Sequence, residues 1–159
     1  MAKIGIIICD NRAALCSGLN CFKAISSHSG AFARYDDAVE VAGYTTCGGC
    51  PGYRAKERAE GMIKYAGAET IHLGVCIYRS FPNPNNKSLK EIETELGQGR
   101  AIQRLNQDDF YVQNAKAIKS GQLPHICLFK EKMKKDIEML GVEVIEGTHA
   151  IAPRSNVPR

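Results

Sequence analysis

No stretch of this chain is apolar for long enough to cross a bilayer. The run IGIIIC near its start falls far short of the ~20 residues a spanning helix needs, and it lacks the extended apolar segment and small-residue cleavage pattern of a secretory signal. The expectation is a cytoplasmic protein with no membrane partner. Charge of one sign is also scarce. The net charge is +4, and basic residues are interleaved with acidic ones, most densely in KEKMKKDIE. That run reads as the solvated face of a helix, and without a basic stripe no nucleic-acid partner is expected. Nor do the acidic residues form a paired constellation suited to general acid and base work. Finally, seven cysteines in 159 residues are odd in number and too sparse for a small disulfide scaffold, so a full disulfide framework is not expected.

What is present is an ordinary soluble composition, 44% hydrophobic and 24% charged, in a length that suits one domain with its own core. Periodicity gives strands alternating with helices, the pattern of an α/β three-layer sandwich on a mostly parallel sheet. Four strands are expected, at 3–8, 39–45, 70–75 and 142–146, in the order two, one, three, four if crossovers are right-handed. The first is a continuous aliphatic run, as expected of a strand buried on both faces. An amphipathic helix follows in PGYRAKERAEGMIKYAGA, with Pro51 in its first turn and Gly67 at its end, and another in FKEKMKKDIEMLG. Residues 1–150 are taken as one domain and 151–159 as a tail. The stretch 80–124 opens on the turn-rich SFPNPNN and reads as a helical insertion, with helices near 88–96 and 108–119.

The cysteines fall at strand ends. Cys9 closes the first strand, Cys47 and Cys50 follow the second, Cys76 ends the third, and His149 follows the fourth. In a parallel sheet all these ends share one edge, where open α/β sheets bind ligands. The pair Cys47–Gly48–Gly49–Cys50 can bring two thiolates to one ion, because the glycines make a tight turn cheap and the following helix start favours negative charge. A thioredoxin-type thiol pair uses the same spacing. Cys16 and Cys21 would point ~140° apart on one helix. Both reach one site only if Cys16 lies in the loop ahead of a helix starting near Cys21, with Gly18 and Asn20 as turn or cap residues. Cys127, in PHICLF, is a weaker ligand candidate, as is His125 beside it. His72, inside the third strand, reads as a satisfied core histidine, and His28 as an exposed loop residue.

With these residues in hand, the chain resembles the CGGC-domain family, a prokaryotic group linked to zinc binding. The matching pieces are the strand ending in Cys9, the C-x-x-x-x-C-F of Cys16 to Phe22, GAFARY, CGGCPG, IHLGVC and GVEVIEGTH. The resemblance implies an α/β domain with a metal site and carries a ligand role onto Cys9, Cys16, Cys21, Cys47, Cys50, Cys76 and His149. The family's Cys-Pro-His triplet ahead of the last helix is replaced here: Cys127 is followed by Leu128 and Phe129, and His125 lies two positions upstream.

Beside a binding or regulatory domain in which a metal would be only structural, two readings remain open on sequence alone. One is a metal-binding protein whose cysteine-rich site, at the carboxyl edge of the sheet, holds zinc or an iron–sulfur cluster. The other is a thiol–disulfide or sulfur-transfer enzyme in which Cys47 attacks and Cys50 resolves. Metal- or thiol-dependent redox or sulfur chemistry, a homo-oligomer and a redox partner are all compatible with this pattern.

Overall fold

A computed structural model of the chain describes residues 1–13, 16–49, 52–78, 127 and 129–150. Cys50, Pro51, His125, the expected insertion at 80–124 with its two helices, and the tail lie outside the described residues.

The aliphatic run becomes β1 (Ala2–Ile8), which pairs in parallel with β2 (Val39–Thr46) on one side and β3 (Thr70–Leu73) on the other; β3 pairs in parallel with β4 (Glu143–Glu146). The order is β2-β1-β3-β4, as the strand and crossover pattern implied. Backbone bonds continue the ladder past the strands, from the Cys47 amide to Ile8, Gly74 to Ile7 and Gly147 to Leu73, at 2.7–2.8 Å. The chain segments leaving β2, β3 and β4 are thereby tied to one edge.

Strict alternation along β1 divides the core. Ile4, Ile6 and Ile8 face a cluster with Ala24 of α2 (Leu19–Ser26) and Phe32 of a 3₁₀ turn (Gly30–Arg34). Ile7 and Cys9 face the opposite cluster, with Ala55, Ala59 and Met62 of α3 (Tyr53–Ala66) and Met133 and Ile137 of a later helix (Lys130–Glu138). Helices thus cover both faces. Gly5 and Gly43 lie side by side across β1 and β2, and a Cβ at either would come within 3 Å of Met62 Sδ. This paired gap seats the methionine and lets α3 approach closely.

Two details differ from the sequence expectation. The third strand stops at Leu73, not at residue 75: Gly74 turns the chain into a one-turn helix (Val75–Tyr78), whose Ile77 and Tyr78 amides donate to the Gly74 carbonyl. Cys76 therefore sits in a helical turn rather than at a strand end. In β2, Val41 pairs with Ile4 but Gly43 pairs with Gly5, so Ala42 is an extra residue, a β-bulge. The bulge reverses the parity of every side chain beyond it.

His72 is fully buried. Its Nδ1–H donates to the Gly147 carbonyl at 3.2 Å, and its Nε2 accepts from the Tyr35 hydroxyl at 2.8 Å, which fixes the neutral tautomer. Burial pushes its pKa down to about 4; the Gly147 bond opposes the shift, and the nearby Arg34 and Glu143 act in opposite directions. The unfolded imidazole titrates near 6.5, so both states are neutral above that pH and the folded state loses stability as pH falls from about 6.5 toward 4. At ~1.4 kcal/mol per unit the full loss is about 3 kcal/mol. Urea midpoints measured from pH 7 to pH 5 should fall in the native protein and stay flatter in His72→Gln. An equal slope in both would remove His72 as the cause.

Candidate functional site

The carboxyl edge does gather cysteines and a histidine, but the sheet parts them. Cys9, Cys47 and Cys127 are buried in the cluster under α3 and the Lys130–Glu138 helix. Cys16, Cys21, Cys76 and His149 line a cleft of about 440 Å³ on the other side, together with Arg12 and Thr148. Parity is the physical reason: Cys9 is one residue past Ile8 and points with Ile7, away from the α2 face. Cys76 reaches the boundary, packing against both clusters, and its Sγ accepts the Cys9 amide at 3.2 Å.

Local structure explains each position in the cleft. A short helix, α1 (Asp10–Ala13), leaves β1, and Cys16 sits in the loop before α2, as its spacing from Cys21 required. Gly18, the N-cap of α2, has φ +77, and its amide donates to Cys16 Sγ at 3.4 Å. Cys21, in the first turn of α2, faces inward. Its thiol donates to Thr148 Oγ1 at 3.3 Å, and its Sγ lies 3.6 Å from His149 Nδ1, which is itself 3.2 Å from Thr148 Oγ1. The Thr148–His149 loop is held by the 3₁₀ turn, whose Ala31 amide donates to the Thr148 carbonyl at 2.9 Å.

Cys21 and Cys76 are largely kept from water, whereas Cys16 is exposed. Burial pushes Cys76 up to about 11, opposed by the Cys9 amide, with Cys21 and Cys16 adding to the rise. Cys21 is also raised by burial, against the Thr148 hydrogen bond, and burial lowers His149. At neutral pH this is a protonated thiol beside a neutral imidazole. A bound cation would reverse the balance, taking the sulfur as thiolate and releasing its proton. Among the described residues, no three Cys, His, Asp or Glu side chains already surround one point.

The CGGC turn has a different character. Gly48 and Gly49 take φ of +80 and +90, and the Thr46 hydroxyl anchors them: it donates to Asp10 Oδ1 at 2.6 Å and accepts from the Gly48 amide and Arg58. Cys47 points into the core, 4% exposed. Cys127 is pushed up to about 11 by burial, with Cys47 close enough to add to the rise. Thr148 is the participant that sequence reading missed; its place beside His149 in EGTH was the available signal.

The model of the CGGC domain family matches residues 3–103, more than half of the chain. The chain belongs to the CGGC domain family. It is also 41% identical, over 106 residues, to an uncharacterized protein of Methanocaldococcus jannaschii, an alignment covering 59% of this chain and 82% of that relative. No solved structure matches. The family match ends before β4, so GVEVIEGTH and His149, which the sequence resemblance included, lie outside it. Among the described residues, no helix of this CGGC-domain protein is long and apolar enough to cross a membrane.

Proposed function

We propose that this CGGC-domain protein binds a metal ion in the α2-side cleft, with Cys21 and His149 as its first two ligands and Cys16 and Cys76 completing the set. The observation that carries the reading is the 3.6 Å separation of Cys21 Sγ and His149 Nδ1. A zinc ion with Zn–S of about 2.3 Å and Zn–N of about 2.0–2.1 Å at a tetrahedral angle holds sulfur and nitrogen about 3.5 Å apart. The pair is already spaced for a shared ion. Cys16 and Cys76 line the same cleft, their sulfurs accepting the Gly18 and Cys9 amides.

Three thiols and one imidazole on this face are a donor set suited to zinc, whereas clusters are most often held by four thiolates. Cys9, Cys47 and Cys127 belong to the core in this reading. The thiol–disulfide alternative draws less support: an attacking thiol needs access, and Cys47 is buried. Elemental analysis and a visible spectrum of anaerobically purified protein test the proposal. About one zinc per chain and no visible absorption are expected. Iron with sulfide and a visible band would replace zinc by a cluster, and a protein that stays metal-free when offered zinc would end the metal reading.

A further inference from the structure

Tyr44 carries a buried hydroxyl with no hydrogen-bond partner among the described residues. Leaving such a group dry and unpaired is costly, and native structures rarely do it without a use. Three features aim it. The bulge at Ala42 changes the parity of β2, so Tyr44 pairs with Ile6 and joins the α2-side cluster instead of facing α3. Phe22 of α2 holds the ring, with centroids 5.1 Å apart. Gly18, between Cys16 and Cys21, makes room: a Cβ there would lie 2.4 Å from the Tyr44 oxygen. The phenol thus reaches the head of α2, where the two cysteines enter the cleft.

We propose that Tyr44 is a positioning residue of the metal site, its hydroxyl donating its one hydrogen bond to the Cys16 or the Cys21 sulfur once a cation has displaced the thiol protons to solvent. This rests on the metal reading above. A thiolate is a better acceptor than a thiol, so the hydroxyl gains its partner when the ion binds. Outer-layer donors of this kind hold ligand orientation and offset the negative charge gathered on sulfur. The phenol itself stays protonated: burial pushes Tyr44 up to about 12, and Cys21, Cys16 and Cys76 add to the rise in that order.

Tyr44→Phe removes only the oxygen, and the test compares it with the native protein using Co(II) and Zn(II) as probes. Metal-free, the variant should unfold at the same or a higher urea concentration, since a lone buried hydroxyl is gone. Metal affinity, by chelator competition, should fall about 10-fold. The sulfur-to-cobalt charge-transfer band should move to longer wavelength, because sulfur without its hydrogen bond donates charge more readily. A purely structural Tyr44 would lower metal-free stability and leave the band in place, which overturns the proposal. Equal affinity and an identical band in both proteins also overturn it while leaving the metal site standing. If the native protein takes up neither metal, the metal reading itself fails and the role of Tyr44 falls with it.

Discussion

Replacing Cys21 with Ser should lower zinc affinity by more than about 100-fold, beyond what loss of an outer-layer partner costs. Cys21 has the strongest geometric claim of the described cysteines. It stands 3.6 Å from His149 and 3.3 Å from Thr148, on a helix whose start also presents Cys16 through the Gly18 amide. Serine keeps the size and the hydrogen bond to Thr148 but removes the soft donor that zinc prefers. His149→Ala should cause a loss of the same order. Because both side chains would hold one ion, the double variant should be little worse than either single one, far from additive. Cys127→Ala is the control from the opposite face. Cys127 lies in the cluster under α3, so its loss should cost stability and change affinity by no more than about 2-fold. Isothermal titration with a competing chelator measures all four. A Cys127 variant as damaging as Cys21→Ser would mean that the two groups of thiols share an ion.

Phe32→Ala should destabilise the metal-free fold by about 3–5 kcal/mol, a large part of the ~5–15 kcal/mol a domain has. Phe32 is fully buried, packs on the His72 ring with centroids 4.6 Å apart, and fills the α2-side core with Ile4, Ile6 and Ile8. It also belongs to the 3₁₀ turn whose neighbouring Ala31 amide holds the Thr148 carbonyl. A cavity there should loosen the loop carrying His149, so metal affinity should drop along with stability. Phe32→Leu, which keeps most of the volume, should cost clearly less. Urea unfolding of the three proteins at one pH, without metal, reads the series. A loss under about 1 kcal/mol for the alanine variant would mean that the turn closes over the gap and is not the prop described here.

The architecture could be read from the chain because its signals are local. The aliphatic run of β1, the 3.6-residue period of Ala55, Ala59 and Met62, and the glycines at 67 and 141 each act over a few residues. The order β2-β1-β3-β4 then follows from right-handed crossovers. The shared carboxyl edge was legible for the same reason. Which face of that edge each cysteine takes was not, because parity depends on register. Cys9 follows Ile7 by two positions and goes to the α3 face, whereas Cys76 leaves the strand pattern at Gly74 and enters a helical turn. The Ala42 bulge is the sharper case. Nothing in VEVAGYTT announces an extra residue, yet it decides that Tyr44 joins the α2-side cluster. The Cys16–Cys21 spacing was more informative, since five residues on one helix could not serve one site and the loop before Gly18 was the remaining solution.

The most direct test of the central claim is X-ray absorption at the zinc edge on protein carrying one equivalent of the metal, native and His149→Ala. A zinc ion held by Cys21 and His149 should show a mixed shell in the native protein, with sulfur at about 2.3 Å and imidazole nitrogen at about 2.0–2.1 Å, and loss of the imidazole signal in the variant. A shell of sulfur alone, or of oxygen and nitrogen alone, that is the same in both proteins would contradict it.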